Sequence, residues 1–385
     1  MNIFDADVIS RFFYQNYFFF LAAIFLGTFI TTWYIIPKII WVTNEKNLTK
    51  PVIDRSLHSN PIPTFGGVAF FVTLILTLSM VQALQLSYVG NHLMAALTIL
   101  FMVGLKDDLV ISSARVKLVG QLLAVFFLIF SPELEITSLH GFLGFEQIPY
   151  WLGCVLAAFL LLATINSYNL IDGIDGLAAI TGIIIGVIYS VVFYFTGQHF
   201  YVLISMTLVG ILGAYLRFNF AKGKSKIFMG DSGSLVIGLV IGFLSLKILS
   251  LESASLAINT FIPENRLLFV LAVLFVPFFD TTRSMIIRLS EGRNPFSADT
   301  SHTHHVLVNS GYSHVKATVL LGFMNSIVVA VFLIFSSIFG SLIMTFIMLG
   351  IFGFSCFIFY EIKKRNKLKN NMVNVEKSKG SRIVL

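Results

Sequence analysis

The sequence predicts an all-α integral membrane protein: a polytopic bundle of about eleven transmembrane helices, with the N-terminus outside and the C-terminus in the cytoplasm. Three observations predict it. Charged residues make up only 12% of the 385 residues while 57% are hydrophobic, including 40 Phe, against about a quarter charged in ordinary globular domains. A soluble fold of this size leaves too little interior to hide that much apolar surface. Apolar runs long enough for a bilayer core, which takes roughly 20 residues per helix, recur along the chain. Finally, the basic residues are distributed very unequally between alternate loops.

The apolar runs lie at 17–36, 67–86, 93–106, 117–131, 150–167, 176–195, 199–217, 233–250, 266–288, 316–337 and 341–360. The third and fourth are short for a span. Asp5, Asp7 and a lone Arg11 precede the first run, a pattern that does not match a cleavable signal peptide. Eleven spans put the termini on opposite sides, and the positive-inside rule selects the orientation. With the N-terminus outside, every one of the 26 basic residues except Arg11, Lys247 and Arg266 falls on the cytoplasmic side. The spans form one transmembrane domain, residues 1–360. Residues 361–385 form a basic cytoplasmic tail, with eight Lys or Arg against Glu361 and Glu376, which serves as a topology anchor and attracts anionic membrane lipids. Residues 132–149 form the longest external loop, where the alternation around LEITSL suggests a small hairpin. Cys154 and Cys356 both sit in apolar runs and read as small apolar filler.

The acidic residues indicate function. Carboxylates at membrane depth are costly and mark function by default. Asp107 and Asp108 (GLKDDL), Asp172 and Asp175 (NSYNLIDGIDGLA) and Asp231 (KIFMGDSGSL) all sit at cytoplasmic helix ends, and Asp280 lies inside the ninth run. An ion pathway would string carboxylates across the bilayer, whereas this set marks a site facing the cytoplasm while touching lipid. That placement, and the lack of an internal repeat, disfavour the rival reading as a transporter.

Each segment has its own chemistry. Asn169, Asp172 and Asp175 are spaced three apart, one face if the stretch is helical, and Gly173 and Gly176 allow tight turns close to a ligand. Asp231, flanked by glycines and followed by Ser232 and Ser234, opens a helix; it suits a phosphate cradle, a Mg²⁺ ligand or a plain N-cap. The Asp107–Asp108 pair opposes the dipole of the helix it ends and suits a base poised to take a proton. In EGRNPFSADTSHTHHVLVNSGYS, His302, His304 and His305 read with Arg293 as one donor cluster for diphosphate or sugar, with a three-His metal site and a plain loop as alternatives. PVIDRSLHSNPIPTFGG adds Asp54, Arg55 and His58 before Gly66 and Gly67.

These five segments, in this order over residues 51–310, resemble the polyprenyl-phosphate N-acetylhexosamine-1-phosphate transferase family, whose eleven-helix architecture the flanking runs match. The His-x-His-His form is similar to that of the bacterial GlcNAc-1-phosphate transferases that begin O-antigen, enterobacterial-common-antigen or teichoic-acid linkage synthesis. Thr303 departs from the branch using UDP-MurNAc-pentapeptide, which has three consecutive His. The resemblance implies a bacterial inner-membrane enzyme that moves a sugar 1-phosphate from a UDP-N-acetyl sugar to undecaprenyl phosphate and releases UMP. It implies Mg²⁺, with Mn²⁺ as a substitute, held by Asn169 and Asp231. It assigns Asp107, with Asp108 beside it, to the lipid phosphate, and Asp172, Asp175 and Asn219 to the nucleotide. By the same resemblance, Arg293, His302, His304 and His305 would meet the phosphates and sugar, and His58 would be a further substrate-binding residue. Nucleic acid is not a partner, and a homodimer is compatible with the reading.

Overall fold

The computed structural model describes residues 12–48, 62–110, 112–251, 261–297, 299 and 301–380; within the last stretch the side chains of 367 and 369–380 are not described. Each of the eleven expected apolar runs is largely helical, although the second runs past its helix end at Gln82, the fourth past Ile129, and the ninth is split in two. The helices are α1 (Tyr17–Glu45), α2 (Gly66–Gln82), α3 (Val89–Leu109), α4 (Ala114–Ile129), α5 (Tyr150–Ile171), α6 (Leu177–Phe195) and α7 (His199–Asn219). They continue with α8 (Gly230–Ser250), α9 (Arg266–Val273), α10 (Phe275–Ser290), the short α11 (Thr303–Asn309), α12 (His314–Ser336) and α13 (Ser341–Gly380). Among the described residues eight straight helices are long and apolar enough to cross a bilayer, and α9 with α10 makes a ninth if that bent pair is one span. The second and fourth runs form the short helices α2 and α4, of 17 and 16 residues, whereas the third, expected to be short, lies in the 21-residue α3. Helix α13 passes the expected domain boundary at 360 without a break.

Helix α8 is the axis of the bundle. It is apolar all round, as a helix buried on every side must be, and α2, α3, α5, α6 and α9 all pack against it. Small residues permit the close approach, as in membrane helices generally. A Cβ on Gly67 would lie 2.1 Å from the Gly233 nitrogen, and one on Gly104 would lie 2.5 Å from Ser232 Cα. These contacts fix the starts of α2 and α8 against the end of α3. The backbone adds to them: Gly66 and Gly67 donate to the carbonyls of Phe228 and Met229, and Phe228 donates to Pro63.

The ninth run is not one rod. It bends by 72° between α9 and α10, and the cause is local. Pro277 has no N–H to give to the carbonyl of Val273 four residues earlier. Asn325 of α12 replaces it: its Nδ2 donates to Val273 O at 3.1 Å and its Oδ1 accepts from Val276 N at 3.0 Å. A break at this depth is tolerated only when such groups are satisfied again. Asn325→Leu should therefore leave two buried backbone groups unpaired, at about 1–3 kcal/mol each. The expected result is a clear fall in thermal midpoint in detergent. A midpoint equal to that of the unsubstituted protein would contradict this account of the bend.

At the end of the bundle away from the acidic motifs, the expected hairpin is present and begins at the last two residues of LEITSL: Ser138–Phe142 pairs antiparallel with Phe145–Gln147. Glu133 anchors the preceding turn, accepting from Ser87 Oγ at 2.7 Å, while Lys247 and Ser250 donate to its carbonyl.

Candidate active site

The opposite end gathers the acidic motifs. Asp107 and Asp108 end α3 side by side, yet successive residues on a helix point about 100° apart, and the two carboxylates have different partners. Asp108 Oδ1 accepts from the Asp231 N–H at 3.0 Å, and its Oδ2 accepts from Ser232 N and Oγ at 3.0 and 2.7 Å. Asp108 is thus a cap reaching across from another helix. The α8 N-terminus relieves the charge that opposes the α3 dipole. Gly230, at φ +69°, makes room for it, because a Cβ there would lie 2.6 Å from Asp108 Oδ2. Two expectations are corrected here. The Gly-Asp-Ser-Gly-Ser turn is an anion cradle, but the anion its first N–H groups hold is the chain's own Asp108. Nor do the two aspartates act as one pair.

Asp107 faces inward. Its Oδ1 accepts from Ser112 N at 2.7 Å, and Lys117 Nζ, one turn into α4, donates to its Oδ2 at 2.9 Å. The same ammonium contacts Asp231 Oδ2, while Asn169 Nδ2 reaches Asp231 Oδ1 at 3.2 Å and Ser234 Oγ at 2.6 Å. Asp107, Asp231 and Asn169 are thereby brought together, with Lys117 as a cation between the two carboxylates. Among the described residues no three His, Cys, Asp or Glu side chains form a metal cage. Two convergent carboxylates still fit Mg²⁺, which is usually held by one or two of them plus substrate phosphates and water. The Lys117 ammonium marks the point where they focus on positive charge.

Helix α5 stops at Ile171, so Asn169, Asp172 and Asp175 do not share one helical face. Asp172 caps the end, and the chain turns through Gly176 at φ +80° into α6. The Asp172 backbone N–H donates to Asn169 O at 3.3 Å, while its carboxyl group makes no hydrogen bond or ion pair among the described residues. Burial, and then the nearby Asp231, Asp108 and Asp175, push its pKa well above the usual carboxylate range. Asp175 behaves differently. Burial opposes its ionisation, but His314 at 3.3 Å and Lys226 at 2.6 Å outweigh that and hold its pKa below the ordinary value. Asn219 is a buried strut under this loop: its Oδ1 accepts from Gly176 N at 2.6 Å, and its Nδ2 donates to Tyr215 OH and Ile227 O.

The histidine segment docks on the same loop. Asp280, fully buried on α10, accepts from Thr303 N at 2.6 Å, capping α11, and its Oδ2 lies 2.6 Å from His302 Nδ1. Arg288 lies 3.2 Å from His302 Nε2 and donates to Asp299 at 2.8 Å. Both ring nitrogens of His302 are therefore engaged within the protein. His304 is buried and His305 packs on it with ring centroids 4.3 Å apart. Burial lowers both imidazoles, that of His304 to about 3. A Cβ on Gly173 would lie 2.2 Å from His304 Nε2, so the glycine is what lets this ring reach the aspartate loop.

Arg293 does not join the imidazoles, contrary to the expected cluster. It follows the turn at Gly292 (φ +67°), is exposed, and pairs with Glu291 and with Asp299 at 3.0 Å. The guanidinium beside the histidines is Arg288, one helical turn earlier and buried. His58 lies outside the described residues, as do Asp54 and Arg55. The sequence reading missed Lys117, which it counted only as a topology charge, and also missed Arg288, Lys226 and His314. The sequence marks Asp280 by its depth alone; its partners are His302 and the Thr303 N–H.

The chain is similar to known proteins over this region and beyond it. Residues 91–249 match the model of the family described as glycosyl transferase family 4. A decaprenyl-phosphate N-acetylglucosaminephosphotransferase of Mycolicibacterium smegmatis is 32% identical over 290 residues, 70% of each chain. A probable undecaprenyl-phosphate N-acetylglucosaminyl 1-phosphate transferase of Bacillus subtilis is 30% identical over 346 residues, 86% of this chain and 89% of that one. An undecaprenyl-phosphate alpha-N-acetylglucosaminyl 1-phosphate transferase of Escherichia coli is 25% identical over 270 residues, 69% of this chain and 71% of that one. With aspartate motifs converging at one end of a membrane bundle and relatives matched over most of their length, the chain belongs to glycosyl transferase family 4.

Proposed function

We propose that the protein transfers N-acetylglucosamine 1-phosphate from UDP-GlcNAc to undecaprenyl phosphate, releasing UMP, at the cytoplasmic face of a bacterial inner membrane. One observation supports this reading most: Asp107, Asp231 and Asn169 meet around a cation at the end of the bundle where the basic loops gather. A water-soluble donor and a membrane-bound acceptor can meet only at such an interface. A lipid phosphate oxygen attacks the β-phosphorus, the bond to the UMP oxygen breaks, and a lipid-linked sugar diphosphate forms.

Phosphoryl transfer needs positioning and charge neutralisation more than covalent help. Asp107 accepts a proton from the lipid phosphate or orients its oxygen. Asp231 and Asn169 would hold Mg²⁺, or Mn²⁺ in its place; such an ion offsets the charge on the diphosphate. The Asp172 carboxyl, whose pKa burial and the neighbouring carboxylates raise, addresses the nucleotide. Asp175 and Asn219 shape the nucleotide loop through Lys226, His314 and Gly176. His304 and His305, neutral near pH 7, face the sugar phosphate beside Gly173, and His302 fixes their segment to Asp280. The experiment is UMP release by purified protein given undecaprenyl phosphate and a panel of UDP-sugars. Release with UDP-GlcNAc that depends on the lipid is expected. Preference for another UDP-N-acetyl sugar would change the donor, and no release with any would refute the reading.

Gly173 supplies a separate test. Gly173→Ala adds one methyl group at an exposed position without a positive φ, so the fold should survive. His304 must move, and a displacement of about 1 Å can cost on the order of 10²-fold in rate. A fall of that size in kcat/KM is expected, with the thermal midpoint nearly unchanged. Wild-type kinetics would show that His304 has no part in the site.

A further inference from the structure

We propose that Lys117 is a tethered cation that competes with the divalent ion, so that metal binding requires its ammonium to leave the point between Asp107 and Asp231. The proposal rests on the reading of Asp231 as a metal ligand. Asp107 Oδ1 is held by Ser112 N and Asp231 Oδ1 faces Asn169. The remaining oxygen of each carboxylate, Oδ2, is directed at the Lys117 ammonium. A hard dication sharing these two carboxylates would need the same oxygens. Two positive centres within a few ångströms of one another repel strongly at the low effective dielectric of a half-buried site, so ammonium and dication exclude one another.

The placement of Lys117 suits release. It sits in the first turn of α4 with its side chain 27% exposed, and an unbranched lysine stem can swing without backbone movement. Released, the ammonium stays within a stem's length of the same site, where it can meet the phosphates of the donor or acceptor. Metal and anionic substrate then favour one another: each phosphate that attracts Lys117 frees the carboxylates, and each bound cation frees Lys117. Linkage makes that coupling reciprocal.

The test measures Mn²⁺ binding by electron paramagnetic resonance, on full-length protein in nanodiscs at fixed pH and ionic strength without nucleotide. Lys117→Gln and Lys117→Met should bind Mn²⁺ at least about tenfold more tightly than the unsubstituted protein, the size of effect expected on removing a competing charge at this range. Lys117→Arg, which retains the charge, should bind no more tightly. Asp231→Asn should abolish binding in every background. If Lys117→Met does not give a monodisperse helical protein, Lys117→Gln carries the comparison, because its amide can still donate to the carboxylates. Affinities for Gln and Met no higher than wild type, with binding still lost in Asp231→Asn, would overturn the proposal and leave the metal reading intact. Binding that survives Asp231→Asn, or no binding by any form, would overturn both.

Discussion

Asp231→Ala should abolish turnover and leave the protein folded. Loss of a group that offsets charge on the transferred phosphoryl removes several kcal/mol of transition-state stabilisation, a fall of about a thousandfold or more. The fold should tolerate the change because the cap at the start of α8 uses the Asp231 backbone N–H, which Asp108 holds, and alanine keeps that N–H. Lys117 retains Asp107, and Asn169 retains Ser234. EDTA should silence the unsubstituted enzyme, and Mg²⁺ or Mn²⁺ should restore it. A rate above a tenth of wild type in Asp231→Ala would exclude Asp231 as an essential ligand.

Asp107→Asn and Asp108→Asn should fail in different ways. Asparagine at 107 keeps the shape and the acceptor for Ser112 but cannot take a proton. kcat should fall by the 10²–10⁴ typical of a lost general base, with KM little changed. If Asp107 is a base, the deficit should shrink at high pH, where the lipid phosphate is already fully ionised. Trapping of a phosphorylated Asp107 with UDP-sugar alone would replace direct attack by a two-step route. At 108 the amide puts a donor against the buried Ser232 N–H and hydroxyl. An unsatisfied buried group costs about 1–3 kcal/mol, so Asp108→Asn should lower the thermal midpoint as well as activity. Equal midpoints for the two variants would contradict the division of labour between these neighbours.

The helices and the convergence of the aspartate motifs at one end were legible in the sequence because both follow from one-dimensional signals: runs of apolar residues, and polar residues too costly to place in lipid without cause. Partners were not legible, because they are set by tertiary contacts between distant segments. Asp108 and Ser232 are 124 residues apart, and local reasoning could see only that Asp108 opposed its own helix dipole, not which helix end relieved it. Lys117 looked like any basic residue at the start of a span, since nothing local distinguishes an anchoring lysine from one turned into a site. Arg293 shares a segment with the histidines, yet it follows the Gly292 turn and is exposed, while α10 carries the buried Arg288 beside His302. The ninth run reads in sequence as one span, with no sign of its break at Pro277, and the groups the break frees are satisfied by Asn325 from another helix. Asp280 was visible as an intramembrane carboxylate, and its partner lay 22 residues away on a segment whose fold the sequence left open.

The most direct test of the proposed transfer is to follow a label at the β-phosphorus of UDP-GlcNAc in liposomes holding the purified protein and undecaprenyl phosphate. Label is expected in the organic phase as a lipid-linked sugar diphosphate, matched mole for mole by UMP in the water, with neither product when the lipid phosphate is left out. Intact UDP-GlcNAc accumulating inside the liposomes, or label appearing as free phosphate with no labelled lipid, would contradict it.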